Sequence, residues 1–271
     1  MDKYNKRNLE EELIDDWCAL MHTTYDEYYE PLATEEDIYF LKMCCDTFQV
    51  DIYVFILSLE ILEKYYRICY VNNIAVIDRS LAGGIAFLTA NKCTGAEIYI
   101  KVPNICDYLN FRKKNIYNQN LIRQAELHIL KTINGNIPIT TKVEDLMIVL
   151  EKFLRQSYLN IDLVNISLKV LEMIYMLRHK WFFNLRNHYK CTSETMLIFR
   201  NLMKNKFYLP IGILVTSIKL IGIQHILNIQ NVINDLSQQG HIEEIHIEIL
   251  LDNLSNIIMK FFPIMNFNKL V

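Results

Sequence analysis

Glycine and proline are scarce in this chain, 7 and 5 among 271 residues. Sheet proteins need many of both at their turns, so the shortage excludes a strand-rich fold and favours long helices. Seven cysteines, at 18, 44, 45, 69, 93, 106 and 191, are scattered and form no Cys-x-x-Cys. Neither a zinc site nor a disulfide framework follows, and a reducing compartment, cytosol or nucleus, is expected. Neither sign of charge dominates: 28 Lys and Arg stand against 31 Asp and Glu, a net charge of -3. No whole-chain field draws such a protein onto nucleic acid or anionic lipid. A Gly-rich phosphate loop, Gly-x-Ser-x-Gly and His-Glu-x-x-His are all missing. Nothing therefore points to an enzyme, a cofactor or a metal. The start, "MDKYNKRNLEEELIDDW", has no apolar core and does not read as a signal peptide. Long apolar runs are missing too. In "FYLPIGILVTSIKLIGIQHIL", Phe207 to Leu227, Lys219 breaks a run of about a dozen residues. That length suits a buried core helix and not a membrane span.

What is present is apolar and periodic. Hydrophobic residues make up 52% of the chain, enough for a folded protein. Thr34 is placed to cap a helix to about Gln49, with acids in its first turn. "DIYVFILSLEILEKYYRI" predicts a second helix that is apolar on most sides. Asp78 or Ser80 opens a third, to about Asn91, in which Gly83-Gly84 permits close approach of a neighbour. After a looser stretch, "NLIRQAELHILKTI" is a clear helix, and "NGNIP", Asn134 to Pro138, is the best linker. Beyond it "TKVE", Thr141 to Glu144, reads as a capping box. Helices are expected at about 141–156, 160–186, 208–223, 228–238 and 241–262. The expected fold is all-α, with an extension over 1–32, a five-helix domain over 33–137 and a second over 138–271.

Two charged residues sit oddly in this pattern. Lys92 follows Leu88, Ile85 and Leu81 by four, seven and eleven residues, so it projects from an apolar face at a helix end. Glu126 has Ile122 four before it and Ile129, Leu130 and Ile133 after it on one stripe. A carboxylate inside an apolar stripe is costly unless paired. Pairing of Lys92 with Glu126 is one reading. The other makes Lys92 a last-turn cation complementing the helix dipole and lifts Glu126 to the rim of its stripe.

Other features have structural readings. "RHKWFFNLRNHYK", Arg178 to Lys190, is basic and aromatic, as a nucleic-acid surface would be. An amphipathic helix with Trp181, Phe182 and Leu185 in the core and its cations solvated explains it better, and the weakly acidic total argues against a DNA-binding module. His241 and His246 are five apart and do not share a helix face. "FRKKN", with Arg112, Lys113 and Lys114, reads as a solvated loop. Cys44-Cys45 reads as core.

Three stretches resemble the cyclin family. "SLAGGIAFLTANKC", Ser80 to Cys93, is similar to the third helix of a cyclin box, whose apolar segment ends Ala-x-Lys. "QAELHILKTINGNIPITT" is similar to the fifth helix and its exit, and "LSLEILEKYY", Leu57 to Tyr66, to the second. The similarity is to the cyclin N-terminal domain-containing proteins of meiotic crossover formation in particular. That branch shares the compact Lys-to-Glu spacing and a second-half stretch like "LEMIYMLRHKWFFNLRN", Leu171 to Asn187. The resemblance covers most of the chain from about 35 to 262.

The resemblance implies two tandem five-helix cyclin-box-like domains. It implies that Lys92 and Glu126 face a cyclin-dependent kinase. It implies a non-catalytic regulator in the nucleus, on meiotic chromosomes, in the company of recombination proteins at crossover sites. A general cell-cycle or transcription cyclin is the neighbouring alternative. A helical nucleic-acid-binding factor, like the transcription-initiation factors with cyclin folds, is the alternative of another class. One departure stands out. The first helix of cell-cycle cyclins carries Met-Arg-x-x-Leu-x-x-Trp, which docks Arg-x-Leu substrates, whereas this chain reads "ATEEDIYF" from Ala33. Recruitment through that groove is not expected.

Overall fold

The computed structural model describes residues 30–113, 117–138, 140–157, 162–223 and 227–263, with single positions at 14, 16 and 21. Most of the expected 1–32 extension and part of "FRKKN" lie outside the described residues. Twelve helices and no strand occur among the described residues, so the fold is all-α. The chain divides into two compact units. One is Glu30–Thr141, and the other holds every helix from Lys142 on.

The first unit has five helices: α1 Glu35–Phe48, α2 Ile52–Val71, α3 Arg79–Thr94, α4 Val102–Lys113 and α5 Gln119–Thr132. Their starts are written in side chains. The Asp37 amide donates to Thr34 Oγ1 at 3.2 Å and the Thr34 amide to Asp37 Oδ2 at 2.8 Å, a reciprocal cap for α1. Asp51, Asp78 and Asn118 cap α2, α3 and α5 one way, each side chain accepting amides of its helix's first turn.

Helix α3 is the axis of this unit and packs against α1, α2, α4 and α5. Every residue from Leu81 to Asn91 is buried, which is why the segment reads as apolar all round. A Cβ on Gly83 would lie 2.9 Å from the Phe40 ring, and one on Gly84 3.2 Å from Leu109. The glycine pair thus lets α1 and α4 close on α3. Gly95, at φ 62°, ends the helix in the left-handed conformation that glycine adopts without strain.

The second unit is built on α6 Lys142–Ser157, α7 Leu163–Met176, α8 Arg178–Tyr189, α9 Ser193–Lys204, α10 Tyr208–Ile221, α11 Ile229–Gly240 and α12 Glu244–Phe261. Helix α10 is its axis, touching α6, α7, α9, α11 and α12, and is buried without interruption from Tyr208 to Ile218. No described helix is long and apolar enough to cross a membrane.

Two features correct the five-helix expectation for this half, which has seven helices among its described residues. The helix expected over 160–186 is broken at Leu177. There the Trp181 indole donates to the Ile174 carbonyl at 3.0 Å, the group that a continuous helix would pair with the Arg178 amide. Helix α9 was not anticipated. It is capped by a reciprocal Thr192–Thr195 pair and buries Phe199 and Leu202.

Candidate functional site

Lys92 sits in the last turn of α3, one residue past its buried run, and Glu126 lies mid-way along α5. Lys92 Nζ donates to Glu126 Oε1 at 2.5 Å. Their side chains are 33% and 17% exposed, so the pair lies at the surface and not in the core. Both readings of the sequence therefore hold together. Lys92 is a last-turn cation at the negative end of α3, and it is also paired. Glu126 stands at the rim of a stripe whose core members are Ile122, Ala125 and Ile129. The bond ties α3 to α5 across 34 residues of chain.

The surroundings hold the two ends in place. Asn91 is buried, and its side chain donates to the Ile98 carbonyl at 2.8 Å and accepts the Ile100 amide at 2.9 Å. This fixes the loop that follows the end of α3 at Thr94, two residues beyond Lys92. On the α5 side, His128 Nε2 lies 3.4 Å from Tyr65 Oη, which accepts the Ile77 amide at 3.1 Å. Burial pushes the Tyr65 phenol up to about 12, so it stays neutral. Exposed apolar side chains flank the pair in the chain: Ile98 and Tyr99 beyond Lys92, and Leu127 beside Glu126.

A second polar cluster was not foreseen. Glu63 is buried and accepts the amides of Leu32 at 2.9 Å and Ala33 at 3.2 Å, with Arg67 at 3.9 Å. Asp37, also buried, accepts from Arg79 at 2.5 Å and from Tyr66 Oη at 3.3 Å. The Arg79 guanidinium lies 4.8 Å from the Tyr66 ring centroid. Burial, and then the Asp37 carboxylate, pushes the Tyr66 phenol well above its ordinary value. The cluster fixes the path of the chain into α1. The signal was available, because Glu63 stands among Leu59, Leu62 and Tyr66 as Glu126 stands in its own apolar stripe.

The remaining sequence features fall as follows. Trp181, Phe182 and Leu185 are buried, as the amphipathic reading requires. Cys44 and Cys45 are buried, and burial pushes the Cys44 thiol up to about 12. His241 caps the end of α11, whereas His246 Nδ1 lies 2.8 Å from Tyr189 Oη. No cluster of three or more His, Cys, Asp or Glu suited to a metal occurs among the described residues. Beside α1 an open cleft of about 320 Å³ is lined by Glu36, Tyr39, Phe40, Ser80, Leu109 and Arg112.

No protein-family model matches the sequence, and no curated protein matches it either.

Proposed function

We propose that this chain is a non-catalytic, cyclin-like regulator that binds a cyclin-dependent kinase through the surface around Lys92 and Glu126. The biological setting of this reading is crossover formation and designation in meiotic recombination, in the nucleus. The observation that supports it most is the Lys92–Glu126 bond. A lysine ending a buried helix and a glutamate on its neighbour are held together at the surface, where a partner can reach both. The five-helix first unit, with α3 as its axis, agrees with the resemblance that suggested the reading.

The mechanism in this reading is conformational. The kinase helix that carries the glutamate for its own catalytic lysine is held inward by the α3–α5 surface, which completes the phosphoryl-transfer site. Lys92 and Glu126 exchange part of their mutual bond for contacts to that helix and the backbone before it. Charged groups left unpaired in the complex are costly, so removing either one weakens binding by about 2–5 kcal/mol.

Affinity purification from gonad tissue, with identification of bound kinases, tests the reading. Expected is a cyclin-dependent kinase recovered with the parent chain and depleted with Lys92→Ala and Glu126→Ala. Recovery of no kinase, or equal recovery with both variants, overturns it.

A further inference from the structure

Asparagine is followed by glycine once in the chain, at Asn134-Gly135, just beyond the end of α5. The pair closes that helix. The Asn134 amide donates to the Lys131 carbonyl at 3.1 Å and the Gly135 amide to the Leu130 carbonyl at 2.8 Å. These are the two bonds of a Schellman cap, with Asn134 in the left-handed conformation at φ 53°. Gly135 continues there at φ 64°, and both residues are exposed. Nothing lies within 4 Å of the place that a Cβ on Gly135 would take.

This dipeptide carries a chemistry of its own. Once it has lost its proton, the Gly135 nitrogen can attack the side-chain carbonyl carbon of Asn134. A new C–N bond closes a succinimide ring, and the side-chain NH2 leaves with a proton as ammonia. Water then opens one of the two imide C–N bonds and leaves aspartate or isoaspartate at position 134. Glycine favours the attack, because no side chain shields its nitrogen.

The cap holds the reaction back. The Gly135 N–H is directed at the Leu130 oxygen, so base cannot take its proton while that bond is closed. Opening of the last turn of α5 releases it, and the same opening exchanges this amide with solvent. We propose that Asn134 is a deamidation site, gated by the cap that it forms with Gly135 on α5. Both products place a carboxylate at the negative end of the helix, where it is unfavourable. Isoaspartate also inserts a carbon into the backbone, so the cap cannot close again in its old register. Modification thus makes a transient opening permanent. Neither Lys92 nor Glu126 takes part in it.

Peptide mapping by mass spectrometry on the full chain, incubated at mildly alkaline pH, tests this. Expected in the folded chain is slow conversion at Asn134 that follows hydrogen exchange of the Gly135 amide. Concentrated urea speeds it by about tenfold or more, because the cap is then open throughout. Ile133→Ala removes a buried side chain beside the cap and speeds conversion without urea. Asn134→Gln halts it at this position, because the ring to be closed is larger. Glutamine tolerates the conformation, since Gln49 holds φ 54° in this chain. Thermal unfolding identifies a variant that fails to fold, and the parent chain with and without urea then carries the test. Absence of conversion in the folded chain, equal rates with and without urea, or folded-state rates that do not follow Gly135 exchange overturns the proposal.

Discussion

Asn91 and Ile100 are bound to each other across the turn that ends α3, the Ile100 amide donating to Asn91 Oδ1 at 2.9 Å. The same side chain donates to the Ile98 carbonyl. Asn91→Ala therefore leaves a buried amide and a carbonyl without their partner. Each unsatisfied group costs about 1–3 kcal/mol. We expect a clear fall in melting temperature, and loss of hydrogen-exchange protection at the Ile100 amide. Retained protection at that amide would show that the loop is held by other contacts.

For Lys92 and Glu126 the stability effect is small. A partly exposed ion pair contributes about 0.2–1 kcal/mol after solvent screening. A double-mutant cycle with Lys92→Ala and Glu126→Ala should give a coupling energy within that range in urea unfolding. A coupling of several kcal/mol would make the pair internal scaffolding.

His246 makes part of the stability depend on pH. Burial lowers its pKa below the ordinary 6.5, with Glu243 opposing and His188 assisting. The folded state thus favours neutral imidazole, which also offers Tyr189 an acceptor. Its contribution is fully present above pH 6.5 and is lost as pH falls from there through the lowered folded value. His246→Gln keeps an amide near Tyr189 without titrating. We expect its melting temperature to fall less than the parent's between about pH 7 and pH 5. Identical slopes would remove His246 from the acid response.

Gly212 sits where α10 meets α12, and a Cβ there would lie 2.8 Å from Leu250 Cγ and overlap Cδ2. Alanine gains about 1 kcal/mol in helix propensity. Overpacking a closed core costs about 1–3 kcal/mol. Leu250 is fully buried and has no room to turn away, so we expect Gly212→Ala to be net destabilising. An unchanged or raised urea midpoint would show that α12 yields.

Much of the first unit is legible in the chain. Thr34 announces one helix start and Asp78 or Ser80 another, Gly83-Gly84 a close crossing, and the two charges placed against apolar stripes offer the Lys92–Glu126 pairing as one of two readings. The second unit is less legible. Its break at Leu177 has no proline or glycine to mark it and depends on where one indole points. Helix α9 opens on Thr192–Thr195 instead of the usual Ser/Thr with Glu/Gln. The Glu63 contacts join residues 30 and 31 apart, a separation that periodicity does not encode. The kinase and meiotic reading comes from resemblance and not from these patterns.

The position of α10 along the chain has a consequence for synthesis. It is the helix that α6, α7 and α9 pack on, yet it follows all of them in the chain. A ribosome adding ~5–20 residues per second takes several seconds to pass from Lys142 to Ile221. Through that interval the nascent helices have apolar faces and no axis to bury them against. The first unit reaches its own axis at the third of five helices. Chaperone demand during translation therefore falls on the second unit more than on the first.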